Sequence, residues 1–236
     1  MKNLVFALLG LFVFGGTFAQ ECDENFYRME PGSTFHLTYY NKKDKVTARQ
    51  ENVVTDTNNN GNTLEATVGS KVFDRKDKLI SDGSFTVICE GSTVKVDLNQ
   101  MLQSIDQLKS MQGMDTEIET DYLSLPSDMS VGQELPDSKT TITVKMGNGG
   151  ANMMTGEVLI ADRKVVGQEE VTTPAGTFNC YKITYSTNVN MKTLVMNRAT
   201  SYPGVHWFAR NVGMVKSESY NQKGELDSYA LLTKLE

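Results

Sequence analysis

The side chains able to carry acid–base, metal or nucleophilic chemistry are few in this 236-residue chain, and their spacing converges on no reaction. The two histidines, His36 and His206, stand far apart, and no H-E-x-x-H or Cys-x-x-Cys occurs, so neither a structural nor a catalytic zinc set can be read. His206 adjoins Trp207 in an alternating stretch, where an imidazole is expected to be packed or at the surface rather than to act as a general base. Cys180, between Phe178 and Tyr181, reads as a small buried hydrophobe; the alternative, a reactive thiol, would need a base nearby. No G-x-S-x-G elbow is present, and a Ser–His–Asp triad has no local support. Gly147-Asn148-Gly149-Gly150 lacks the Gly-Lys-Ser/Thr and the helix of a phosphate loop. Glu169 and Glu170 would point to opposite faces of a strand, so they make no carboxylate dyad. Asp115, Glu117, Glu119 and Asp121 alternate and share one face if extended; this reads as a solvated acidic strand edge, with a weak calcium site as the alternative. No catalytic residue, metal ligand or cofactor is therefore expected.

The elements around these residues are mostly strands. Residues 171–236 alternate apolar and polar side chains and concentrate β-branched and aromatic types, the pattern of an antiparallel meander onto which earlier strands should pair. Pro174 and Gly176 predict a tight turn at 173–176. Three stretches share one turn pattern: Tyr40-Asn41-Lys42-Lys43-Asp44, Phe73-Asp74-Arg75-Lys76-Asp77 and Tyr220-Asn221-Gln222-Lys223-Gly224. In each an aromatic ends a strand, Asn or Asp opens an Asx turn, and Asp or Gly is expected in the left-handed conformation. Further strands are predicted over 34–40, 45–56, 63–73, 84–89, 93–96, 140–145 and 157–170, while 122–136 reads as loop with short extended pieces. The period changes once. Leu98, Met101, Leu102, Ile105, Leu108 and Met111 fall on one helical face, with Asp97 as cap, Gln100 as its capping-box partner and Gly113 as the stop. Such a helix, about 98–112, would span about 22 Å and must lay its apolar face on a sheet. Met101, Leu102, Ile105 and Leu108 are the candidate lining of a cavity beneath it. Seven of the 12 methionines lie in 101–154. They read as gap-fillers under the helix, with a soft pocket for an apolar ligand or Cu(I) coordination as alternatives.

The first 19 residues carry Lys2, an apolar run of about 11 residues and small residues ending at Ala19, the pattern of a secretory signal peptide. The run is shorter than the about 20 residues that a membrane span needs. Gln20 and Glu21 before Cys22 argue against acylation there. Residues 20–236 are expected to form one exported domain, since no Pro/Gly/Ser-rich linker divides them. Without Lys2 the balance is 22 basic against 29 acidic residues, which argues against nucleic acid and against charge-driven docking on anionic lipid. In an oxidising compartment the three cysteines permit one disulfide, and the chosen pair is Cys22–Cys89, which ties down a polar N-terminal segment and leaves Cys180 free. Closing that loop contributes about 4 kcal/mol on the chain-entropy argument.

The tail carries T-x-A-G-T-F-x-C-Y-K-I at 173–183, then Trp207-Phe208-Ala209, then Val212-Gly213-Met214-Val215-Lys216, then Tyr220 and the Lys223-Gly224 turn. With the early Cys, the Pro31-Gly32 entry and the F-x-V-x-C run ending at Cys89, it resembles the TapB-like exported domains of unknown function found in Bacteroidetes-type bacteria. Such domains are distantly similar to LolA/LppX-type lipid carriers, half-barrels of antiparallel strands that hold helices. The alternation, with its one helical interruption, predicts a mainly β fold: a curved antiparallel sheet or open half-barrel of about ten strands, with the 98–112 helix on its concave face, and the resemblance is compatible with it. The expected protein is periplasmic or extracellular, soluble after cleavage and non-catalytic. It is expected to bind an apolar or lipid-like ligand; the alternative is a structural or protein-interaction envelope protein without a small-molecule ligand. Neither nucleic-acid binding nor a membrane-spanning segment is expected in the mature chain.

Overall fold

The structure is a computed structural model that describes residues 26–61, 63–103, 114–147 and 150–236. Its elements in chain order are β1 (Thr34–Asn41), β2 (Val46–Asn59), β3 (Thr63–Asp74), β4 (Leu79–Glu90), β5 (Thr93–Asp97), α1 (Asn99–Gln103), β6 (Met114–Thr120), β7 (Leu123–Pro126), β8 (Ser138–Met146), β9 (Asn152–Thr173), β10 (Gly176–Thr193), β11 (Asn197–Ala209), β12 (Gly213–Tyr220) and β13 (Leu226–Leu235). All thirteen strands join one antiparallel sheet in the order β6-β8-β9-β10-β11-β12-β13-β1-β2-β3-β4-β5-β7. The first and last strands, β1 and β13, are neighbours, so the C-terminal meander is the middle of the sheet and the N-terminal strands extend it. The fold is mainly β and the sheet unclosed, as expected, and among the described residues it has thirteen strands rather than about ten.

Local turn chemistry holds as predicted. Asp44, Asp77 and Gly224 take φ of 57°, 61° and 76°. Asn41 Oδ1 accepts from the Lys43 and Lys45 amides, Asp74 Oδ1 from those of Lys76 and Lys78, and Asn221 Oδ1 from those of Lys223 and Glu225. Two hydrogen bonds accepted by one side-chain oxygen satisfy the donors that a tight reversal leaves open.

The amphipathic helix expected over 98–112 on the concave face is not supported. Among the described residues the helical segment is Asn99–Gln103. Asp97 caps it, its Oδ1 accepting from the Asn99 amide at 2.9 Å, but Gln100 accepts the Ser84 hydroxyl instead of closing a capping box. Residues 104–113, with Ile105 and Leu108, lie outside the described residues; Met101 belongs to α1, and Leu102 is half-buried. α1 rests against β4 and β6, which stand near opposite ends of the strand order, so the sheet is strongly curled rather than flat.

A second link joins the ends. β9 has a bulge where Asp162 and Arg163 together oppose Tyr185, and Asp162 takes φ 54° there. The bulge sends Arg163 inward, where it is 4% exposed and its Nη1 donates to Ser124 O at 3.0 Å and Pro136 O at 2.5 Å. Arg163 thereby holds β7, the last strand of the sheet order, and the β7–β8 connection against β9. Burial lowers its pKa to about 10, with Asp137 opposing the shift. The inward side chains form two apolar clusters. One runs through Leu37, Val54, Val68, Phe85, Val87 and Leu232; the other gathers Phe26, Leu125, Met129, Val165, Ile183 and Phe208 under the β7–β8 connection. No helix among the described residues is long and apolar enough to cross a membrane.

Candidate functional site

The meander places Lys182 (β10), Trp207 (β11), Lys216 (β12) and Leu231 (β13) in one lateral row of direct partners. Directly opposed residues share a face, so these side chains meet although the chain separates them widely. Trp207 is 3% exposed, and the Lys182 and Lys216 ammonium groups lie 5.1 and 4.6 Å from its ring centroid. Both cations are within the distance at which the ring quadrupole attracts them. The indole Nε1–H donates to Glu169 Oε1 at 2.6 Å, and Lys182 pairs with the same oxygen at 3.3 Å. Lys216 pairs with Glu218 at 2.7 Å, and the Tyr220 hydroxyl also donates to Glu218. The set is Glu–Lys–Trp–Lys–Glu, balanced in charge.

The electrostatics follow from those bonds. The indole N–H holds the Glu169 carboxyl below its ordinary pKa against some burial, with help from Lys182. Burial pushes Glu218 up, but its bonds from Lys216 and Tyr220 outweigh this and leave it lowered. Tyr220 is raised to about 12 by burial and by its bond to that carboxylate. Both glutamates are thus charged at neutral pH and committed to partners.

Beside this row lies a groove of ≈ 460 Å³. Val171, Leu226, Tyr229 and Leu231 give it apolar walls, and Glu169, Lys216 and Glu218 give it one polar side, with Trp207 between. It exists because the end of β9 reaches across to β12 and β13, strands it does not pair with. A second hollow of ≈ 400 Å³ adjoins Phe178, Tyr181 and Arg210, whose guanidinium lies 5.7 and 5.9 Å from the Phe26 and Tyr181 rings.

Of the titratable residues weighed from the sequence, Glu169 and Glu170 line this groove, and the others lie elsewhere. His206 is packed, as expected: its ring is 4.3 Å from Tyr185 and edge-on to Phe208 at 5.7 Å. Burial, with Arg163 adding to it, pushes its pKa down to about 3. Cys180 is free and fully buried, its thiol pushed up to about 12 by burial and then by Glu169. That environment removes the reactive-thiol reading, because the thiolate is the nucleophile. Cys22 lies outside the described residues. Glu117 on β6 pairs with Lys145 at 2.6 Å, in keeping with a solvated edge, and no group of three His, Cys, Asp or Glu among the described residues is placed to hold a metal. Leu102, the described residue of the predicted lining whose burial is defined, packs in α1 rather than in the groove. The groove residues were missed because Glu169, Lys182, Trp207 and Lys216 come from four strands. The available signal was the lone Trp in the central strand of the meander, flanked by strands with a Lys at mid-length.

Residues 30–232 match the DUF3108-like family, and the chain belongs to it. No curated relative matches. Two solved structures share the fold. One, from Bacteroides fragilis, is described as an exported protein with a YmcC-like fold; it is 24% identical, with 90% of this chain and 99% of that chain covered and a TM-score of 0.70. The other, from Parabacteroides distasonis, is described as a lipoprotein; it is 19% identical, with the same 90% and 99% coverage and a TM-score of 0.70.

Proposed function

We propose that this DUF3108-like chain is an exported, non-catalytic cell-envelope protein that holds an amphipathic, lipid-like ligand in the Trp207 groove. The observation that carries the reading is the groove's composition: apolar walls from Val171, Leu226 and Leu231, and one edge where Lys216 and Glu218 stand as a pair. A volume of ≈ 460 Å³ lies within the range of small-molecule sites. The charge balance along the row favours an uncharged or zwitterionic polar head over a strongly anionic one. Among the strongly shifted groups, His206, Cys180 and Arg163 owe their shifts chiefly to burial, which fits binding better than acid–base turnover. Export is supported by the leader-like N-terminus and by the descriptions of the two structural neighbours. The similarity of the tail to TapB-like domains, and through them to LolA/LppX-type carriers, points to the same ligand class.

The test is native mass spectrometry of protein purified from its own envelope, followed by organic extraction. A co-purifying amphiphile whose retention is lost in Leu231→Glu supports the reading. A bare mass, with no added lipid raising the melting temperature or quenching Trp207 fluorescence, refutes it. A second reading, recruitment of an envelope protein by strand addition, is favoured by the open edge at β6, although Asp115, Glu117 and Glu119 along that edge oppose it.

A further inference from the structure

Between Glu170 and Glu218 the chain carries no acidic residue, while it carries Lys182, Lys192, Arg198, Arg210 and Lys216. A chain of formal charge −6 thus devotes its β10–β11 hairpin to positive charge alone. The two strands pair from Tyr181↔Phe208 out to Lys192↔Asn197. At the tip Thr193 N–H donates to Met196 O at 2.7 Å, and Thr193 Oγ1 accepts from the Met196 amide at 3.1 Å, so the turn is closed and its shape is set. A solvated hairpin turn is ordinarily built from Gly, Asn, Asp or Ser. This one displays Leu194, Val195 and Met196, which are 72%, 95% and 48% exposed, with Met191 also exposed just behind. Lys192 and Arg198, both exposed, flank the apolar tip on its two strands.

We propose that this tip seats in the interface of a phospholipid bilayer containing anionic lipid, with Leu194, Val195 and Met196 among the upper acyl chains and Lys192 and Arg198 on the phosphates. A narrow convex tip offers no broad surface to a protein partner, whereas a bilayer accepts it. The long stems of Lys and Arg reach polar headgroups while their neighbours are immersed. The hairpin itself carries no acidic residue, and Glu157, which stands opposite Asn190 on β9, is paired with Lys139 at 2.6 Å, so Lys192 and Arg198 set the charge at the tip and their complementarity selects an anionic surface. Net acidity, which argues against charge-driven docking on anionic lipid, therefore misleads when the charges are segregated. This inference is independent of the groove and of what occupies it.

The test is flotation of the mature chain, its intact mass checked for the absence of an acyl group, with vesicles of phosphatidylcholine alone or mixed with phosphatidylglycerol. Partitioning onto the mixed vesicles is expected, weakening as salt is raised. Leu194→Ser/Val195→Ser should lower the partition constant by about tenfold or more. Lys192→Gln/Arg198→Gln should remove the preference for phosphatidylglycerol, at about fivefold per charge. These positions are exposed, so an unchanged melting temperature confirms that the fold is intact. The proposal is overturned if the unaltered chain floats with neither vesicle, if the double-Ser variant partitions as the unaltered chain does, or if light scattering without lipid shows that the tip instead holds two copies together.

Discussion

The buried imidazole of His206 makes acid sensitivity calculable. Its folded pKa is about 3, pushed down by burial between Tyr185 and Phe208 and by the Arg163 charge. In the unfolded chain the value returns to about 6.5. Between those values the unfolded state binds the extra proton, so stability is complete above the unfolded pKa and is lost as pH falls toward the folded one. From pH 7 to pH 5 the linkage amounts to about 1.4 proton-equivalents of pH, or about 2 kcal/mol at 1.36 kcal/mol per unit. With an m-value of about 2 kcal/mol/M, the urea midpoint should drop by about 1 M. Histidine titration dominates this window. Asp74, Glu90, Glu169 and Glu218 are all lowered below the ordinary carboxylate range and stay charged throughout it. His36, the one other histidine, is also lowered, chiefly by burial, so it adds a smaller loss of the same sign. The assay is urea unfolding at pH 7 and pH 5 for the unaltered chain, His206→Gln and His36→Gln. His206→Gln should lose most of the pH dependence and His36→Gln should keep it. A flat profile for the unaltered chain, or the same slope in His206→Gln, would show that the ring is hydrated or repositioned and would refute the reasoning.

Other outcomes follow from the same packing. A Cβ on Gly204 would lie 2.2 Å from Tyr185 Cζ, so Gly204→Ala should lower stability by about 1–3 kcal/mol in urea melts, and combining it with Tyr185→Leu should return most of that loss. Arg163→Met leaves the Ser124 and Pro136 carbonyls without their donor; a loss of about 3–5 kcal/mol is expected, with faster hydrogen exchange across residues 124–136, and protection unchanged there would contradict the tie between β7 and β9. Trp207→Phe deletes the bond to Glu169, whose side chain is 46% exposed, and leaves space in the core where the buried indole sat, so about 1–3 kcal/mol should be lost, while retention of the groove's ligand should fall further. Non-reducing peptide mapping should join Cys22 to Cys89, with Cys180 modified by maleimide only after unfolding; a crosslink containing Cys180 would overturn that pairing.

Much of the backbone was decided within short windows of sequence. The Asx turns at Asn41, Asp74 and Asn221 need only a side-chain oxygen, the next few amides and a residue that tolerates positive φ, so their geometry was legible before any strand was placed. The strands were legible for the same reason, since alternation has a period of two residues. The burial of Cys180 followed from its apolar neighbours. Tertiary structure alone decided the rest. Whether Lys182 and Lys216 face solvent or an indole depends on lateral register, which aligns residues that lie tens of positions apart. Arg163 is turned inward by a bulge opposite Tyr185, and a strand pattern read residue by residue has no place for an extra residue. The alternation that marks a strand does not say which face of a curled sheet becomes a groove. That depends on β9 reaching across to β12 and β13, and curvature is a property of the whole sheet rather than of any stretch of it.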